Sequence, residues 1–287
     1  MRYSRQLPIP EIGPEGQARL QQSRVTIVGA GGLGTPASLY LAAAGVGRIT
    51  IIDSDTVSMS NLNRQVLYDP QQLGSSKALL LAERLQRFNP EVEVRGLVLR
   101  LTAENAGQYL SRDECDVVID ATDNNQTRLL INSAAVQAGV PLIYGAVHSF
   151  YGQIMTILPG KGPCLRCLLP NPDAEAASEG KQQGAEVRQK AEEQHGADKP
   201  HDTDGQHGAD ELERETERQH EEGRGVTPVI GITPGIIGSL EATEAIKILL
   251  GAGTSLIGRL LTFNALDMRW DELAVKQDPA CPVCIRD

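Results

Sequence analysis

The stretch Thr26-Ile-Val-Gly29-Ala-Gly31-Gly32-Leu-Gly34-Thr35-Pro36-Ala-Ser38 decides how this chain of 287 residues is read. Residues 29–34 carry the spacing G-x-G-x-x-G, after the β-branched run RVTIV and before the small, helix-forming run TPASLYLAAA. Strand, glycines and helix are the context in which this spacing holds a nucleotide. The glycines let the backbone turn sharply and approach a phosphate, and the amides at the helix start point at it. A tight turn with no ligand is the other reading of the same residues. Thr35 is expected to cap the helix and Pro36 to take its first position, with Gly45 and Gly47 ending it.

The pattern repeats outward from this loop. RVTIVGAG (24–31), RITIID (48–53) and CDVVIDAT (115–122) read as buried strands, and VEVRGLVL (92–99) alternates like one. KALLLAERLQRFNP (77–90) and TRLLINSAAVQAG (127–139) have helical apolar spacing. PLIYGAV, GQIMTILP and the late RLLTFNAL read as strands, and GSLEATEAIKILLG (238–251) as an amphipathic helix. Strands alternating with helices predict an α/β fold with a doubly wound, Rossmann-like, mostly parallel sheet.

Composition narrows the function classes. Hydrophobic residues make up 40%, enough for a sizeable core, and aromatics only 3%, so that core rests on Leu, Ile, Val and Ala. No apolar run is long enough to span a bilayer, and MRYSRQLPIP lacks the apolar centre of a secretory signal. The expectation is a cytoplasmic chain with no membrane partner. The net charge of −10 is local: residues 173–224 hold 16 acidic against 7 basic side chains. No basic patch supports a nucleic-acid partner. The same segment repeats QHGAD at 194–198 and 206–210 and has almost no large apolar residue, so 171–225 is expected to be a disordered acidic insertion in a single domain spanning 1–287.

Polar groups gather where the strands end. Asp53 closes the second strand, placed to accept from a ribose hydroxyl. It opens the loop DSDTVSMSNLNRQ, which carries Ser60, Asn61, Asn63 and Arg64. Asparagine amides can hold ribose or phosphate oxygens, and an arginine can fork onto phosphate. Lys77 follows at a helix start. A solvated loop with a surface lysine and arginine is the plainer alternative. Asp120-Ala-Thr-Asp123-Asn124 ends the strand at 116–120; Asp123 is either a magnesium ligand near a triphosphate or part of an ordinary Asp/Asn helix cap. A hydride-transfer enzyme is a rival reading of the glycine loop, although the Asn/Arg loop would then have no task. A catalytically dead zinc scaffold is another, and it would need neither the arginines nor Lys77.

Four of the five cysteines fall in two pairs, Cys164-x-x-Cys167 and Cys281-x-x-Cys284, with 113 residues between the pairs. Two such knuckles can close a tetrahedral thiolate site for Zn2+ that ties the C-terminal part back to the sheet. Cys115 opens a buried strand and reads as core.

Taken together, MRYSRQ, GAGGLGTP, DSDTVSMSNLNRQ, DATDN and the two cysteine pairs resemble the MoeB/ThiF family of adenylyltransferases, relatives of ubiquitin-activating enzymes, over about 1–170 and 226–287. The resemblance implies ATP with Mg2+ rather than a nicotinamide cofactor. It implies a small ubiquitin-like sulphur carrier protein, MoaD- or ThiS-like, whose C-terminal glycine carboxylate attacks the α-phosphate and expels pyrophosphate, in molybdopterin or thiamine biosynthesis. Another carboxylate, on a different carrier or a tRNA, is the nearest alternative. By motif, Gly32, Asp53, Ser60, Asn61, Asn63, Arg64, Lys77, Asp123 and Asn124 would line the ATP site. Within that set, Arg64 and Lys77 would hold the phosphates and Asp123 the magnesium. Arg5 would reach the ATP of a second subunit, which implies a homodimer, and the cysteines would hold a structural zinc. Residues 168–280 contain no cysteine, so this segment offers no thiol for a covalent link to the carrier.

Overall fold

A computed structural model describes residues 2–169 and 228–285. The expected acidic insertion at 171–225 lies outside the described residues. One eight-stranded sheet, in the order β3-β2-β1-β4-β5-β6-β7-β8, organises the described chain. Its first five strands in space are parallel: β3 (Glu93–Leu97), β2 (Arg48–Ile52), β1 (Arg24–Val28), β4 (Val117–Asp120) and β5 (Leu142–His148). The last three pairings, through β6 (Tyr151–Ile157), β7 (Arg259–Asn264) and β8 (Arg269–Ala274), are antiparallel. The chain winds outward from β1 through β2 to β3, then crosses to β4 and winds the other way. A crevice is expected at that reversal, at the carboxyl ends of β1 and β4.

Strand alternation divides the core. Ile27, Ile49, Ile51, Ile119 and Ile143 share a cluster with α2 (Gly34–Ala44), α3 (Lys77–Phe88) and the long helix here called α7 (Ile232–Leu250). Their neighbours Val28, Ile52, Val118, Leu142 and Tyr144 share another with α4 (Ala106–Tyr109), α5 (Asn125–Ala138) and α6 (Leu165–Leu168). Helices thus cover both faces, which is why β1, β2, β4 and most of β5 read as unbroken apolar runs.

Several local expectations are corrected. Thr35 does not cap α2; the helix starts at Gly34, and the Thr35 hydroxyl donates to Gly31 O at 2.9 Å inside the first turn. Pro36 is therefore third in the helix, still within the turn where a missing N–H costs nothing. The strands ending in the glycine loop and at Asp53 stop at Val28 and Ile52, because the residues that follow turn toward the crevice. Helix α7 begins six residues before the expected Gly238, with Pro234 again tolerated in its opening turn. The polar helix α1 (Gly13–Gln22) and the edge strand β8 carry too little apolar periodicity to be seen beforehand.

Candidate functional site

The glycine loop leaves β1 between its two neighbours. The Gly29 amide donates to Ile52 O at 2.8 Å, across to β2. A Cβ on Gly34 would lie inside the van der Waals envelope of Gly29 O, so only glycine lets the helix start this close to the strand. Gly32 sits between α7 and the asparagine loop: a Cβ there would meet Pro234 Cβ at 3.1 Å and Arg64 Cγ at 3.5 Å.

Asp53 braces this loop. Its Oδ2 accepts from Ala30 N and its Oδ1 from Asp55 N, each at 2.7 Å. Burial pushes its carboxyl above the usual range, opposed by those two amides and by the Lys77 charge. Lys77 opens α3 behind the Ser76 cap and is itself buried, its ammonium 3.0 Å from Asp55 Oδ2. The glycine loop, Asp53 and Lys77, far apart in sequence, therefore meet in one hydrogen-bonded group.

The asparagine loop is organised by its own side chains. Residues Met59–Asn61 form one 3-10 turn, and Asn61 Oδ1 accepts from Ser58 N at 3.3 Å. Ser60 Oγ lies 3.1 Å from Ser58 Oγ. Arg64 is half-buried; its Nη1 donates to Ser60 O at 2.8 Å and Asn63 Oδ1 at 3.0 Å. Asn63 Nδ2 lies at 3.5 Å from Val229 O. All four residues, Ser60, Asn61, Asn63 and Arg64, thus take part in shaping the loop, Arg64 through its Nη1.

At the end of β4 the two readings of Asp123 separate. Asn124 is the cap of α5, its Oδ1 accepting from Thr127 N at 2.9 Å. Asp123 is exposed, next to the cap rather than in it, with Asn124 Nδ2 at 3.4 Å. Beneath it lies a buried support absent from the sequence reading. Arg128 donates to Thr122 O and to Asn125 Oδ1, each at 2.9 Å, and its guanidinium carbon stands 5.7 Å over the Tyr144 ring. Asp120 Oδ1 accepts from the Thr122 amide at 3.1 Å and its hydroxyl at 2.6 Å. Burial raises the Asp120 carboxyl, and the Arg128 charge opposes that rise. The signal for Arg128 was a charge inside the apolar run RLLINSAA.

Arg5 is not in this crevice. The segment around it is fixed to the far end of α2: Gln6 Nε2 donates to Gln17 Oε1 at 2.8 Å and Ala44 O at 3.1 Å, and Tyr3 packs on Gly45. An eleven-residue helix separates that end from the glycine loop by about 15 Å. Arg5 is exposed there.

The four paired cysteines converge. Their sulphurs all lie within 4.8 Å of one another, with Cys164–Cys281 at 3.7 Å and Cys167–Cys284 at 3.4 Å. A metal bound by four thiolates at about 2.3 Å would set their sulphurs about 3.8 Å apart, so the donor set fits Zn2+ in both chemistry and spacing. Backbone support is present: Asp278 N reaches Cys167 Sγ at 3.4 Å, and Leu165 N donates to Asn132 Oδ1 at 2.9 Å beside the first pair. Burial pushes the Cys164 and Cys167 thiols up.

Known proteins are similar to this chain over nearly its full length. The chain is 41% identical to a sulfur carrier protein adenylyltransferase of Thermus thermophilus, over 99% of this chain and 90% of that one. It is 36% identical to the sulfur carrier protein ThiS adenylyltransferase of Escherichia coli, over 99% and 94%. The crystal structure of E. coli MccB with ATP shares the fold at a TM-score of 0.74 and 21% identity, covering 99% of this chain and 74% of that one. Residues 3–283 match the ThiF family as a whole, and with relatives of this identity over nearly its full length the chain belongs to the ThiF family.

Proposed function

We propose that the protein is an ATP-dependent adenylyltransferase that activates the C-terminal glycine carboxylate of a small ubiquitin-like sulphur carrier. The observation that carries this reading is the convergence of the glycine loop, Asp53 and Lys77 on the carboxyl ends of β1 and β2, with the exposed Asp123 at the end of β4. Similarity to named adenylyltransferases supplies the substrate class. A carboxylate oxygen of the carrier forms a bond to the α-phosphorus while the bond to the β-phosphate oxygen breaks and pyrophosphate leaves. Nothing in that step asks for a protein nucleophile; it asks for positioning and neutralised charge.

The residues divide that work. The amides of the glycine loop around Gly32 and the carboxylate of Asp53 hold the nucleotide, with Asn61, Asn63 and Ser60 shaping the wall beside it. Arg64 and Lys77 neutralise phosphate charge. Asp123 holds Mg2+, which screens the phosphates when bound; Asn124 keeps Asp123 in place through its cap. Lys77 is paired with Asp55, so phosphate binding would give its ammonium a second anionic partner or replace the first.

The position of Arg5, far from its own glycine loop, supports a homodimer in which it serves the neighbouring crevice. The cysteine cluster holds structural Zn2+. Pairing of β6 with β7 brings the described residues on either side of 158–258 into one sheet, in keeping with one domain formed by them. Location in the cytoplasm is in keeping with the described residues, none of whose helices is long and apolar enough to cross a membrane. The carrier, and with it molybdopterin or thiamine biosynthesis, is decided by experiment. The protein with ATP, Mg2+ and a ThiS-like or MoaD-like carrier should yield a carrier heavier by one adenylate in mass spectrometry. Failure with every carrier, alongside thermal stabilisation by NAD but not by ATP, would refute the assignment.

A further inference from the structure

Tyr68 belongs to none of the motifs above. Its hydroxyl is buried and donates to Ala30 O at 2.8 Å, with Lys77 O at 3.2 Å. Ala30 precedes Gly31 and Gly32, and its amide is already held by Asp53. Lys77 is tied on its other side to Asp55, by its amide to Asp55 O at 3.1 Å and by its ammonium to Asp55 Oδ2. Asp55 in turn donates its amide to Asp53. The phenol thus closes a ring that runs Ala30, Asp53, Asp55, Lys77, Tyr68 and back to Ala30.

We propose that Tyr68 is a positioning residue for the nucleotide, its hydroxyl locking the glycine loop to the first turn of α3 so that the loop amides and Lys77 hold a fixed spacing before ATP arrives. The proposal rests on the reading of this crevice as an ATP site. Ala30 is fully buried, so a carbonyl that loses its donor must twist toward another or remain unsatisfied. A loop free to twist has to be re-ordered when ligand binds, and affinity falls by that cost. Burial, with the Asp53 charge nearby, pushes the phenol well above its ordinary value, so the donor proton is present at every working pH. The ring itself packs in the core with Ala30, Val57 and Ala78. Packing and hydrogen bonding can therefore be removed separately.

The test compares Tyr68→Phe with Tyr68→Leu in the full-length protein. Tyr68→Phe differs by one oxygen and keeps the ring, so it should fold. Its Kd for ATP should rise roughly tenfold, which is about 1.4 kcal/mol, while kcat at saturating ATP and KM for the carrier stay within twofold. Amide hydrogen exchange over residues 29–34 should accelerate in the nucleotide-free variant, with β1 and β2 unmoved. Tyr68→Leu should melt lower than Tyr68→Phe yet weaken ATP by no more. Unchanged ATP affinity in Tyr68→Phe overturns the proposal, as does weakened affinity with loop exchange unmoved, or ATP affinity that falls with melting temperature across the two variants. Wild-type protein that binds no ATP would instead refute the crevice as an ATP site.

Discussion

The parallel and antiparallel halves of the sheet are held by different means. In β1, β2 and β4 nearly every residue is buried, on one face or the other. Toward the other edge that burial fades: β7 buries only Leu260 and Phe263, and β8 is exposed along almost its whole length. What β8 has instead is Trp270 stacked on Phe263 at 4.3 Å, the Arg259–Glu272 ion pair at 2.8 Å, and the cysteine cluster that anchors the chain beyond it. An ion pair this exposed contributes about 0–1 kcal/mol, so on the zinc proposal the cluster would be the main restraint on that edge beside the aromatic stack. Apolar burial holds the central strands at whose ends the candidate ligand groups stand; the outer antiparallel edge, on the zinc proposal, depends on cysteine chemistry.

The largest effect should follow from removing that chemistry. One zinc per chain is expected by elemental analysis, and Cys164→Ser should lose most of it together with stability on the order of 5 kcal/mol. Hydrogen exchange should then rise in β7 and β8 well before β1 and β2. Equal loss of protection in both halves would erase the contrast. The converse comes from the crevice. Asp123 is exposed, so Asp123→Ala should leave the melting temperature almost unmoved while carrier-dependent exchange of labelled pyrophosphate into ATP drops by about 100- to 1000-fold. A variant that melts early and retains exchange would reverse the roles given to the two regions.

The two halves also differed in how far they could be read from sequence. Strands buried on both faces announce themselves as runs such as RITII and VVID, and the glycines and Asp53 follow from where those runs stop. RWDELA announces nothing, because an exposed edge strand needs no apolar period. The cysteine spacing identified the cluster, since thiolate pairs two residues apart have few other uses in combination. Arg128, Glu241 and Tyr68 escaped notice for a shared reason. Each sits in a segment whose pattern is explained without it, and its importance comes from partners distant in sequence. Which of Asp123 and Asn124 caps α5 turned on one residue of register, which propensity alone does not resolve.

Glu241 tests the parallel half's dependence on apolar packing. It is fully buried in α7 over Gly145 of β5, where any side chain would collide with its carboxyl group, and neither carboxyl oxygen has a hydrogen-bond partner. Burial, reinforced by the Asp120 charge and only partly opposed by Arg128, raises its carboxyl well above the usual range. The folded chain therefore keeps a proton that the unfolded chain releases. The stability this adds is complete below the ordinary carboxylate range near pH 4.5 and is lost as pH rises from there through the raised folded value. Glu241→Gln removes the titration at nearly constant volume. Its stability should gain on wild type as pH increases, by up to about 1.4 kcal/mol per pH unit within that window, and its melting temperature should rise relative to wild type accordingly. A difference between the two proteins that is flat from pH 5 to 8 would mean Glu241 is ionised in place.

Cys115 should produce the smallest effect, and it separates the two thiol populations. Its side chain is fully buried at the entry to β4, with Sγ 3.6 Å from Ser111 O. Burial pushes this thiol up to about 11, so near pH 7.5 it is almost entirely protonated and a poor nucleophile. Cys115→Ala should cost about 1 kcal/mol for the small void and leave pyrophosphate exchange unchanged. Alkylation sharpens the contrast. The four clustered thiols should resist a thiol reagent while zinc is bound and react when a chelator removes it, whereas Cys115 should react only on unfolding. Mass spectrometry of the native, chelated and denatured protein should therefore count zero, four and five modifications. Four modifications before chelation would show that no metal guards the cluster, and loss of exchange in a folded Cys115→Ala would bring a thiol into the adenylation step.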